Sequence, residues 1–122
     1  MRKIYYNKLI RDRVALGMKK RGVAFASRKL NQKEFEKALI RKVGEEAGGL
    51  GRAHSREELI DELADILNVI AEIRKLKKIK AGDLKKALRR NMETKGGFKK
   101  RIWLTWSADT GYKTNERRYN GR

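Results

Sequence analysis

Cysteine and proline are both missing from this chain of 122 residues. Without cysteine there is no disulfide framework, no thiolate nucleophile and no thiolate ligand for a metal. Without proline, the eleven glycines are left to punctuate the helices and turns. A single histidine, His54, leaves no imidazole cluster for zinc. It falls in a short interhelical stretch and reads as a surface residue. No run approaches the roughly 18 apolar residues of a membrane span. The opening MRKIYYNKLIRDR is charged and lacks the apolar middle of a secretory signal. A cytoplasmic location is therefore the expectation, with no membrane partner.

Acids are also scarce, and they are not spread evenly. The net charge is +18. Residues 1–42 carry 14 Lys or Arg against 3 Asp or Glu, and residues 74–104 carry 13 against 2. Between them, residues 43–73 reverse the balance, with 2 against 8. An acidic centre flanked by two basic blocks points to two separate chemistries in one small chain. At this length a single domain is expected, over residues 1–104, followed by a basic and aromatic tail over 105–122.

The periodicity is helical. LNQKEFEKALIRKV opens with Asn31 and Glu34 in capping-box spacing, and Phe35, Leu39 and Val43 then recur on one face. Ser55 with Glu58 opens the strongest pattern, about 56–78, where Leu59, Leu63, Ile66, Ile70 and Ile73 form one stripe. Ile60, Leu67 and Val69 widen that stripe beyond what one neighbour covers, which predicts a homodimer or larger assembly. A further helix spans about 81–95 and stops at Gly96 and Gly97. NKLIRDRVALGMKKRG reads as a shorter helix with Leu9, Ile10, Val14 and Met18 inward. VAFAS is expected to be extended or loop, and IWLTW a short strand or packed tail. The fold class expected is all-α, an antiparallel helix bundle with a short irregular C-terminal tail.

Glu62 and Asp65 stand at i and i+3 beside the apolar stripe, so they project together from one side of the strongest helix. Crowded, partly dehydrated carboxylates call for a cation, and magnesium prefers such oxygens. The preceding helix offers Glu45 and Glu46. An antiparallel pairing of the two helices, favoured by the short 51–55 connection, lets the four acids converge. Asn68, one turn beyond Asp65, reads as an ordinary polar position or as an aid to a bound water. Acids in a first helical turn, Glu57 and Glu58, are ordinary complements of the helix dipole.

Four segments taken in order resemble the all-α nucleoside triphosphate pyrophosphohydrolases, the MazG-like and phosphoribosyl-ATP pyrophosphohydrolase-like group. They are YNKLIRDRV at 6–14, EE at 45–46, EELIDELADILNVI at 57–70 and GGFKKRIWL at 96–104. The family motif is EExxE followed, a dozen or more residues later, by ExxD. Glu45 and Glu46 match its first two acids, and Glu62 and Asp65 match the second half. Gly49 stands where the third glutamate belongs. The resemblance implies a bundle of this type, usually oligomeric, holding Mg2+ on Glu45, Glu46, Glu62 and Asp65. It also implies hydrolysis of a nucleotide to monophosphate and pyrophosphate, with Lys8 and Arg11 near the substrate phosphates. Gly49 removes one ligand, and the helix carrying Glu45 and Glu46 is expected to end at GGLG. Restoring a carboxylate at position 49 is then expected to strengthen metal binding.

The basic blocks exceed what a nucleotide needs. Lys77, Lys78, Lys80, Arg89 and Arg90 are candidates for contact with RNA or DNA, because released counterions favour such surfaces. Trp103, Trp106, Tyr112 and Tyr119 are candidates for stacking on bases, or anchors of the tail to its own domain. Three readings therefore stand: a magnesium-dependent nucleotide pyrophosphohydrolase, a member with a decayed site that binds nucleic acid, and an oligomeric scaffold.

Overall fold

In the computed structural model the described residues are 1–109. They hold four helices: α1 Asp12–Lys20, α2 Gln32–Gly51, α3 Arg56–Leu76 and α4 Ala81–Lys95. No strand occurs among the described residues, so IWLTW is irregular rather than a strand. Tyr112 and Tyr119 lie outside the described residues. The chain divides into two units, Met1–Lys85 and a second beginning at Lys86. No described helix is long and apolar enough to cross a membrane.

In the first unit α2 and α3 pack directly on one another. Their ends show the direction. Lys77 Nζ, just beyond α3, lies 2.7 Å from Glu36 Oε1 near the start of α2. At the other end, Gly49 of α2 meets Glu62 of α3. The pair is antiparallel, as its four-residue connection favours. Each helix starts on a side-chain cap. Asn31 accepts from the Glu34 N–H at 2.8 Å, and Glu34 accepts from the Asn31 N–H at 3.1 Å. Ser55 Oγ accepts from the Glu58 N–H at 3.1 Å, while Glu58 accepts from the His54 N–H at 3.2 Å.

The glycines do not stop α2. It runs through Gly48 and Gly49 to Gly51 and ends with the Arg52 N–H on the Gly49 carbonyl and the Ala53 N–H on the Leu50 carbonyl. Each glycine costs about 1 kcal/mol of helix propensity relative to alanine. Packing along α3 offsets that cost, which local propensity alone does not reveal. By contrast, Gly96 does end α4. Its φ of 77° places it in the left-handed region, and its N–H reaches the Met92 carbonyl at 3.0 Å. Lys78 takes the same role after α3 at φ 58°, with the following Ile79 N–H on the Arg74 carbonyl at 2.9 Å.

The core is small. Among the described residues, Leu39 of α2 and Val69 of α3 are the buried hydrophobic side chains. The wide stripe of α3 is left open: Leu59, Ile60, Leu63 and Leu67 are 42–65% exposed, and Ile40 of α2 is 59% exposed. α1 packs closely on neither α2 nor α3, so Ile10 and Val14 are exposed rather than inward. Leu9 and Met18 are half-buried.

Candidate metal centre

Antiparallel pairing sets the last third of α2 against the first third of α3. One carboxylate oxygen from each of Glu46, Glu62 and Asp65 lies within 4.8 Å of the other two. Three acids separated by 16 and 3 residues are thus gathered at one point by helix periodicity and one short turn. Glu45 stays outside this trio, with its Oε2 3.3 Å from Lys42 Nζ. An adjacent residue on a helix is rotated by about 100°, so Glu45 and Glu46 do not face the same way.

Two cations flank the trio. Lys42 Nζ lies 3.7 Å from Glu46 Oε1 and donates to the Leu9 carbonyl at 3.0 Å. Its side chain is only 17% exposed. Arg11 reaches the other side, where a single nitrogen, Nη2, donates to Asp65 Oδ1 at 2.8 Å and to Asn68 Oδ1 at 2.9 Å. Arg11 is therefore engaged by the acid cluster, and Asn68 serves as its second acceptor. Lys8 stands over the Tyr6 ring, 5.4 Å from the centroid.

The electrostatics are unequal across the trio. Burial pushes the Glu46 carboxyl above its usual range, and the neighbouring Glu62 and Asp65 push it the same way. Lys42 pulls in the opposite direction and does not prevail. Glu46 has Lys42 and Asp65 has Arg11 at ion-pair distance, whereas no cation pairs with Glu62 among the described residues.

Gly49 has a different part from the one its sequence position suggests. A Cβ built on it would stand 2.6 Å from Glu62 Oε2 and 2.9 Å from Glu62 Cδ. The carboxylate of Glu62 occupies the space directly above the Gly49 backbone. Glu62, leaning across from α3, takes the space that a side chain at position 49 would need. Beside it, Gly49, Arg52, Ala53, Glu58, Asp61 and Glu62 line an open depression of about 280 Å³. Arg52 is the one cation on its wall.

Lys42 and Arg52 are the residues that sequence reasoning passed over. Lys42 carried a signal, since it stands three and four residues before Glu45 and Glu46. Arg52 carried none, because only the turn of the chain brings it to the depression. Among the proposed nucleic-acid contacts, Lys77 is tied to Glu36, whereas Arg89 and Arg90 are exposed and unpaired among the described residues. His54 is exposed. Comparison with family models, curated proteins and solved structures finds no match to this chain.

The trio suits a hard divalent cation. All its donors are carboxylate oxygens, and no sulfur or imidazole competes. Opposed ligands around Mg2+ stand about 4.2 Å apart, twice the usual ~2.1 Å bond. The three oxygens, within 4.8 Å of one another, would have to draw closer to share one such ion.

Proposed function

We propose that this protein is a magnesium-dependent nucleotide pyrophosphohydrolase that converts a nucleoside triphosphate, or a related nucleotide, to the monophosphate and pyrophosphate. The observation that carries this reading is the convergence of Glu46, Glu62 and Asp65 from two helices on one point. The order of the motifs in the sequence supports it further. Glu46, Glu62 and Asp65 would hold Mg2+, which would supply charge neutralisation at the phosphate oxygens and acidify water. Lys42 fixes Glu45 and Glu46 on α2 and ties them to the chain at Leu9. Arg11, on Asp65 beside the site, would be placed to turn its guanidinium to the substrate phosphates. Arg52 and Lys8 add positive charge for the polyphosphate.

The working unit of this proposal is a homodimer or larger assembly. Four aliphatic residues of α3 are half-exposed around a core of two buried side chains. A second copy covers that face and supplies the hydrophobic burial that the α2–α3 pair lacks. The test is pyrophosphate release from a panel of nucleotides in Mg2+. Turnover that disappears in Glu62→Ala and in Asp65→Ala, with helical content retained, is the expected result. Absence of turnover on every nucleotide would sink the proposal.

A further inference from the structure

The acid cluster leaves the second unit unused, and that unit has its own chemistry. On α4, Lys86, Arg89 and Arg90 stand at i, i+3 and i+4, so they share a face. Gly96 then turns the chain, and Gly97 passes so close to Met92 that a Cβ there would stand 3.3 Å from the Met92 methyl. The segment that follows doubles back in a turn closed by the Arg101 N–H on the Phe98 carbonyl at 3.0 Å. Lys99 and Lys100 form the tip of this turn, and Arg101 holds φ 53°. None of these six cations is in an ion pair among the described residues.

The same stretch displays its aromatic rings to water. Phe98 is 95% exposed, Trp103 88% and Trp106 81%. Rings held out among these exposed cations match the two needs of an unpaired nucleic-acid strand, phosphate neutralisation and base stacking. Trp103 and Trp106 are three residues apart and so at most about 10 Å, the length of roughly three nucleotide steps at ~3.4 Å each.

Other occupants fit less well. A duplex hides its base faces inside its own stack and offers none to the rings. A bilayer accepts exposed tryptophan, but residues 101–109 have no regular backbone pairing, and their peptide groups would enter lipid unsatisfied. A second copy of this segment would set cations against cations. We propose that residues 86–106 form a surface for single-stranded nucleic acid. Arg89, Arg90, Lys99, Lys100 and Arg101 contact phosphates there, and Phe98, Trp103 and Trp106 stack on bases.

Trp103 and Trp106 are the two tryptophans of the chain, so intrinsic fluorescence reports on this surface directly. The full chain is titrated with a single-stranded oligothymidylate, a duplex of equal length, and vesicles of equal phosphatidylcholine and phosphatidylserine. Saturable quenching by the single strand is expected, with a weaker response to the duplex. The logarithm of affinity should fall against log salt with a contribution of about −0.7 per phosphate contact. Changing Lys99, Lys100 and Arg101 together to alanine should flatten that slope by about 2. Trp103→Ala should weaken binding about fivefold or more, whereas Trp103→Phe should retain most of it. Circular dichroism of each variant verifies folding, and the two Trp103 variants test the surface even if the triple variant is unfolded. Glu62→Ala should bind the oligonucleotide as the wild type does, which separates this surface from the acid cluster. Equal binding of duplex and single strand without a tryptophan response would overturn the proposal. So would a blue shift on vesicles with no response to the oligonucleotide.

Discussion

Placing alanine at Gly49 sets two magnitudes against one another. Position 49 is helical and not at positive φ, so the substitution gains up to about 1 kcal/mol of helix propensity. The new Cβ, however, would lie 2.6 Å from Glu62 Oε2, and the carboxylate must move. Pushing Glu62 off its favoured rotamer costs about 0.5–1.5 kcal/mol. In the wild-type background the two effects nearly cancel. In a Glu62→Ala background the three atoms nearest to the new Cβ are gone, and a gain approaching about 1 kcal/mol should appear. Urea unfolding followed by helical circular dichroism, at one fixed protein concentration, measures all four corners of the cycle. A coupling of about 0.5–1.5 kcal/mol is expected. Equal gains in both backgrounds would refute the claim that Glu62 rests on Gly49. The same contact alters what Gly49→Glu should do. The added carboxylate displaces Glu62 as it arrives, so one ligand is exchanged for another and metal affinity rises less than a fourth acid would suggest.

Other consequences follow from neighbouring contacts. Glu46→Gln should stabilise the fold at neutral pH. Because the folded carboxyl titrates above its unfolded value, its contribution is most favourable in acid and is lost as pH rises through the raised value. The advantage of glutamine should therefore vanish in acid, and unfolding curves across pH check this. Arg11→Ala removes the cation competing for Asp65, so Mg2+ should bind up to about fivefold more tightly by calorimetry, the worth of an exposed ion pair. Leu67→Glu places a charge on the open face of α3 and should yield monomers in sedimentation at micromolar concentration. Asn31→Ala removes the cap of α2 and should cost about 1 kcal/mol in urea unfolding. Arg28 holds the Glu34 carboxyl below its usual range, so the support Glu34 gives this cap is complete above the ordinary carboxylate value. It should fade as pH falls through the lowered one.

Much of the helical layout was legible because its signals are local. Asn31 with Glu34, Ser55 with Glu58, and Gly96 mark boundaries by hydrogen bonds within one turn of chain. The end of α2 was not legible, since packing along α3 carries the helix through glycines that local propensity would place in a loop. In the acid cluster, Glu46, Glu62 and Asp65 were readable from helix spacing plus a short connection. Glu45 is adjacent to Glu46 in sequence but rotated by about 100° on the helix, so adjacency alone does not bring it to the same point. Arg11 and Asp65, 54 residues apart, are joined by a contact that no periodicity encodes.

The attachment of the chain's first residues has a consequence for how the molecule opens. Residues 1–11 are held to the α2–α3 pair through the Leu9 carbonyl on Lys42 and through Arg11 on Asp65 and Asn68. Only Leu9 among them is even half-buried. Such a segment opens at far less free energy than the helices beneath it, and salt screens its Arg11 contact. Amide hydrogens there should exchange early, well before those of α2 and α3. Detachment releases Lys42 from Leu9 and Arg11 from Asp65 together, so both cations beside the acids are freed by the opening of one short segment.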